Sequence, residues 1–177
     1  LRNLIKHINK SYVILAPTGI AALNVEGQTL HSFFQFEIRP YLPFDKDLTI
    51  LTKKEELLQK LDLIIIDEIS MVRCDLMNAV DLTLRKNLKS NLPFAGKQLL
   101  LIGDLFQLPP VIDNKKIEEV EILNANYNTP YFFSAKVFEA GLQYHVIELE
   151  KVYRQTDKDF IELLNGVREN TLQLKHL

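Results

Sequence analysis

The chain has 177 residues, a formal net charge of -2, 47% hydrophobic residues and 25% charged residues. That balance describes a chain able to build a sizeable core and excludes a disordered tail, because aliphatic residues are plentiful and net charge is low. Its one cysteine, Cys74, excludes a disulfide scaffold and points to a reducing compartment. The length fits one domain, or one domain with a fragment of a second.

No apolar run, Tyr12–Ala16 or Leu63–Ile66 included, comes near the roughly 20 residues a membrane span needs. The first residues show no signal-peptide pattern, and the first is not Met. A charge of -2 does not favour a polyanion gripped over the whole surface. Any nucleic-acid contact must therefore be local, in one groove lined by a few polar groups.

In chain order, residues 1–10 read as an amphipathic helix with Leu1, Leu4, Ile5 and Ile8 on one face. Residues 12–16 read as an apolar strand, broken by Pro17-Thr18-Gly19, with a helix from about Ile20. Residues 29–34 read as a short helix, and 35–52, with Pro40 and Pro43, as an irregular insertion. A helix over 55–60 leads into a buried strand over 61–66, followed by a helix over 74–88. Residues 98–102 form a second buried strand, and 111–129 a polar surface loop. A strand over 131–133, a helix over 134–140 capped by Ser134 and stopped by Gly141, and a strand over 145–149 come next. A last helix covers 157–168, with Thr156 or Asp157 as its cap.

Strands alternate with helices, and the two central strands are apolar on consecutive residues. That pattern predicts an α/β fold with a parallel sheet covered on both faces. Ligands in such sheets bind where the strands end, so the residues just past each strand carry the chemistry. Asp67 and Glu68 follow the strand over 61–66. Adjacent carboxylates there need a cation, and Mg²⁺ with phosphate oxygens supplies one. Gly103, Asp104 and Gln107 follow the next strand, and Gln107 can donate to and accept from a phosphate or a water. Pro17-Thr18-Gly19 offers a hydroxyl and free backbone N–H groups to an anion, and His31 and Phe33 could support a base by stacking. Arg154 stands at a strand-to-helix junction, where its fork of donors can reach a phosphate. Taken singly, each pattern also fits an ordinary helix start, a Pro-ended loop, a core aromatic or a surface arginine.

Together, in this order and spacing, the blocks resemble a known family. Ala16-Pro17-Thr18-Gly19-Ile20-Ala21-Ala22-Leu23-Asn24 and Thr29-Leu30-His31-Ser32-Phe33-Phe34 resemble the first two DNA-contacting motifs of the Pif-one (petite integration frequency) family of DNA helicases. Asp62-Leu63-Ile64-Ile65-Ile66-Asp67-Glu68-Ile69-Ser70-Met71-Val72 resembles their Walker B motif and the signature stretch after it. Gly103-Asp104-Leu105-Phe106-Gln107-Leu108-Pro109-Pro110-Val111 resembles the third helicase motif. Glu148-Leu149, Tyr153-Arg154-Gln155, Phe160, Leu164-Asn165 and Arg168 resemble the fourth.

The resemblance implies a superfamily 1B motor related to RecD, with a RecA-like sheet of the P-loop NTPase type. Such a motor hydrolyses ATP with Mg²⁺ and moves 5′-to-3′ along single-stranded DNA, unwinding duplexes. It would place Mg²⁺ on Asp67, water activation on Glu68, coupling of the γ-phosphate to DNA on Gln107 and transition-state charge on Arg154. Pro17, Thr18, Gly19, His31 and Phe33 would touch DNA. The implied setting is the bacterial cytoplasm at the nucleoid, or the nucleus or mitochondrion of a eukaryote.

One departure stands out: none of the six glycines opens a G-x-x-x-x-G-K-[ST] pattern, and Gly96-Lys97 is followed by Gln98. Residues 1–150 are therefore expected to be most of a first RecA-like domain without its P-loop strand, and 151–177 the start of a linker to a second. The sheet is expected to be incomplete with exposed strand edges, and the 177 residues alone to bind ATP weakly. The alternative is a non-catalytic nucleic-acid-binding or interaction module derived from such a domain.

Overall fold

The computed structural model describes residues 10–48, 54–149, 153 and 157–171. A four-stranded sheet of β1 (Tyr12–Ala16), β2 (Gln28–Thr29), β3 (Leu63–Ile66) and β4 (Gln98–Leu101) runs in the order β2-β1-β3-β4, with every pairing parallel. Leu15 lies opposite Ile66, and Ile66 opposite Leu101. The carboxyl ends of the three longer strands are thus level, and the loops leaving them emerge along one edge.

All four residues of β3 are buried, which explains their unbroken apolar run. Side chains alternate between faces. Ile64 and Ile66 join Leu15 in the main core, while Leu63 and Ile65 form a smaller cluster with Tyr12, Ile14, Leu100 and Ile102. Each fully buried Leu or Ile contributes about 1.5–3 kcal/mol.

The helices are α1 (Gly19–Asn24), α2 (Leu30–Phe34), α3 (Glu55–Lys60), α4 (Cys74–Leu88), α5 (Ile117–Asn126), α6 (Lys136–Glu139) and α7 (Lys158–Arg168). α4 packs Met77, Ala79, Val80 and Leu84 into the main core and ends where Lys89 turns left-handed at φ 50°. The turn before β2 needs Gly27, since a Cβ there would lie 2.4 Å from the carbonyl oxygen of Ile14.

Segment 35–48 is irregular, as its prolines predict, and polar bonds anchor it. Asp75, fully buried at the start of α4, accepts from the Tyr41 amide (3.0 Å) and binds Arg73 through both oxygens (2.9 and 2.7 Å). Glu119 of α5 closes on the same guanidinium. Tyr127 Oη donates to the Tyr41 carbonyl (3.3 Å), and Asn78 Nδ2 to that of Pro43 (3.0 Å). Segment 35–48, the start of α4, and α5 with the Tyr127 that follows it thus meet around the Asp75–Arg73 pair.

Four sequence expectations are corrected. Residues 131–133 form no strand: Tyr131 makes one antiparallel bridge to Arg73, and Phe132–Ser134 turns into a 3₁₀ helix over which the Tyr131 and Phe133 rings stack. Residues 145–149 are not a strand either; Val146, Ile147 and Leu149 are over 80% exposed, with no neighbouring strand to pair with among the described residues. Segment 111–129 is not all loop, because α5 buries Leu123, and Tyr127 follows it into the same small cluster with Cys74. Ser134 caps no helix; its hydroxyl bonds Thr129 instead (2.7 Å), while Gly141 does turn left-handed at φ 85°. The helix expected over 1–10 lies mostly outside the described residues.

Candidate functional site

The exits of β3 and β4 are bound to each other. Ile102 N donates to Ile66 O and Ile69 N to Ile102 O, both at 2.9 Å. Gly103 is pressed against that turn: a Cβ there would lie 2.9 Å from Ile69 Cγ2 and 3.0 Å from its amide nitrogen. Only glycine lets the two loops approach this closely.

Asp67 and Glu68 stand on the β3 side, both partly buried. Asp67 N donates to Leu15 O (2.9 Å), fixing it against the end of β1. Glu68 adopts φ 52° and ψ 44°, a left-handed conformation that costs a non-glycine residue about 1–2 kcal/mol. Among the described residues no cationic side chain pairs with either carboxylate. Nor do the described residues include a cluster of three or more acidic, His or Cys side chains able to cage a metal alone. One or two carboxylates open to phosphate oxygens are the donor set a Mg²⁺–nucleotide site requires. The residues present therefore fit that ion when a nucleotide completes its coordination.

On the β4 side, Asp104 organises the loop. Its Oδ1 accepts from Phe106 N (3.0 Å), and its Oδ2 from Gln107 Nε2 (3.2 Å). Gln107 is exposed. Arg154 lies outside the described residues.

A cavity of about 240 Å³ opens beside this edge, lined by Pro17, Thr18, His31, Arg39, Tyr41 and Arg73 among others. Thr18 caps α1 by accepting from Ala21 N (3.2 Å), and Thr29 caps α2 the same way toward Ser32 N (3.1 Å). The capping hydroxyls orient both helices, so Pro17, Thr18 and His31 reach one cleft. Gly19 begins α1 and is exposed, with open space where a Cβ would stand.

His31 is held below the usual imidazole range, first by burial and then by the Arg73 charge, with Asp75 opposing. Its imidazole is accordingly neutral near pH 7, able to donate from one nitrogen and accept at the other. Phe33 is corrected: at 2% exposure it packs edge-on against Phe34 (4.9 Å between centroids) and belongs to the core. The sequence reading also missed Arg39, Tyr41 and Arg73 as cleft walls. The Arg-x-Asp spacing at the start of α4 was the available signal for Arg73.

Two short links join the carboxylates to the cleft. The 3₁₀ turn Ile69–Met71 begins just after Glu68, bonded by Met71 N to Glu68 O (3.1 Å), and Met71 lines the cavity. The loop carrying Gln107 ends in Val111, which also lines it. Met71 thus lies three residues after Glu68, and Val111 four residues after Gln107.

The chain has well-matched relatives. It is 32% identical over 177 residues to the ATP-dependent DNA helicase PIF1 of Emericella nidulans, covering 95% of this chain and 22% of that protein. To the Pif1 of Campylobacter jejuni it is 34% identical over 175 residues, covering 95% of this chain and 36% of that protein. The chain thus spans from about a fifth to a third of the length of these relatives. The solved structure of Bacteroides Pif1 bound to single-stranded DNA superposes with a TM-score of 0.91 at 43% identity, over 99% of this chain and 40% of that one. The same protein in complex with ADP-AlF3 and single-stranded DNA matches equally well. The sheet is therefore the RecA-like sheet expected from the sequence. The family model described as PIF1-like helicase matches residues 1–176, and the chain belongs to that family.

Proposed function

We propose that this chain supplies the nucleotide-facing and strand-gripping part of an ATP-dependent 5′-to-3′ DNA helicase. The observation that carries the reading is the continuity of the carboxylate pair with the polar cleft, through Ile69–Met71 on one side and residues 103–111 on the other. The Bacteroides relative binds single-stranded DNA and an ATP-hydrolysis analogue, which supports both ligands.

In this reading Asp67 holds a nucleotide-bound Mg²⁺, which supplies charge neutralisation at the phosphates. Glu68 orients and accepts a proton from the attacking water, and its fixed backbone limits where that carboxylate can swing. Gln107 exchanges its bond to Asp104 for one to the γ-phosphate. Arg154 steadies charge on the transferred group. Pro17, Thr18, Gly19 and the neutral His31 receive the strand, with the Arg39 and Arg73 charges behind them. Among the described residues no helix is long and apolar enough to cross a membrane.

The test is E68Q in the full-length protein. ATP hydrolysis stimulated by single-stranded DNA should fall at least about 10²-fold, as loss of a general base does, while DNA affinity stays within about twofold. Unchanged turnover in E68Q would overturn Glu68 as the base, whereas no DNA-stimulated turnover in the unaltered full-length protein would identify a non-catalytic nucleic-acid-binding module.

A further inference from the structure

The carboxylate of Asp104 is shared. Besides the Phe106 amide and the Gln107 side chain, it faces Arg168, whose Nε lies 3.8 Å from the same Oδ2 that Gln107 occupies. The Arg168 guanidinium also sits over the Phe106 ring, 4.9 Å from its centroid. Arg168 is the last residue of α7, a helix that starts just past Tyr153-Arg154 and is capped by Asp157 accepting from Phe160 N (3.1 Å).

We infer that Arg168 is a positioning residue that ties the end of α7 to the phosphate-sensing loop, and that it takes up Asp104 Oδ2 when Gln107 leaves it. This rests on the function proposed above. Three features carry it. Gln107 cannot reach a phosphate while its amide is spent on Asp104, and its departure leaves a carboxylate oxygen with one remaining partner nearby. That partner is a planar, permanently charged group, already held by an aromatic face and needing a shift of only about 1 Å to reach the usual 2.7–2.9 Å of a charge-assisted bond. Gly103 clamps the loop to Ile69 and Ser70, so its root cannot follow and the change is confined to 104–107. Movement of Gln107 is thereby converted into a pull on α7, the helix next to Arg154 in sequence.

The experiment uses the full-length protein and reads two quantities. The first is backbone hydrogen exchange over 103–110, with the β3 amides as an internal control for global unfolding. The second is ATP hydrolysis with and without single-stranded DNA. In R168A, exchange at Phe106 and Gln107 should rise about tenfold while β3 stays protected. DNA stimulation should fall about tenfold, with the KM for ATP in the absence of DNA within twofold of its starting value. R168K, which keeps the charge but loses the planar stack, should recover part of both. Adding R168A to Q107A should cost less than a further twofold, since the two act through one carboxylate.

Unchanged exchange in R168A overturns the inference, as does an R168A loss that multiplies in full onto that of Q107A. If the unaltered protein shows no DNA-stimulated hydrolysis, the proposed function fails. The exchange data then decide on the positioning role by themselves.

Discussion

Burial and the neighbouring Arg73 both disfavour protonation of His31, while Asp75 opposes them weakly. The folded imidazole therefore binds its proton more weakly than the unfolded one. Stability from this group is complete above the unfolded value of about 6.5 and is lost as pH falls through the lowered folded value. H31Q keeps polarity without the titration. Plotted as a difference, the Tm of the unaltered protein minus that of H31Q should decline as pH is taken from 7.5 to 5.0. A flat difference would mean that His31 is solvated in solution. Because a phosphate in the same cleft would favour the charged imidazole, the residue that senses pH is also one proposed to touch DNA.

At the scale of elements, the join between α4, α5 and segment 35–48 rests on Asp75. Arg73 is only 17% exposed at its side chain; burial works against its charge, yet Asp75 and Glu119 outweigh it and hold its proton more firmly than in a free arginine. D75A removes both bonds to that guanidinium and the acceptor of the Tyr41 amide, leaving the guanidinium its bond to Glu119 among the described residues. Breaking a buried pair from one side costs about 3–5 kcal/mol. Urea unfolding should show a loss of that size for D75A, against about 0.5–2 kcal/mol for D157A, which deletes an exposed helix cap. A loss below about 1 kcal/mol in D75A would show that water replaces the carboxylate.

The same elements show what was legible beforehand. β1, β3, β4 and α4 could be read to within a residue or two, because buried parallel strands and a long amphipathic helix write their periods into the chain. Asp67, Glu68 and Gln107 were legible as residues just past strands, a position that local sequence fixes. Phe33 was misread because core and stacking aromatics have the same composition; only the turn of α2 decides which way a ring points. The Arg-x-Asp spacing hints at an Arg73–Asp75 pair, but what the pair joins was not legible, since its partners Tyr41 and Glu119 lie 34 and 46 residues away. The helix α5 was hidden by the polar residues of its exposed face, with only Leu123 fully buried.

For the molecule as a whole, the decisive asymmetry lies across the sheet. β3, paired on both sides, is buried throughout, whereas β4, paired to β3 alone among the described residues, leaves Leu99, Leu100 and Leu101 partly exposed. Segment 145–149 presents Val146, Ile147 and Leu149 almost entirely to solvent. An edge left unpaired among the described residues, in a chain that also exposes an apolar extended segment, invites pairing with another copy. The 177 residues expressed alone should therefore associate at micromolar concentrations, as sedimentation velocity would reveal. A charge on such a segment opposes pairing, so I147K, at a side chain 83% exposed, should weaken the association at least about tenfold without lowering Tm. A sharp monomer boundary for the unaltered chain at about 100 micromolar would contradict this. It would mean that the outer edge of β4 is shielded within the molecule, and the asymmetry between β3 and β4 would then require a different cause.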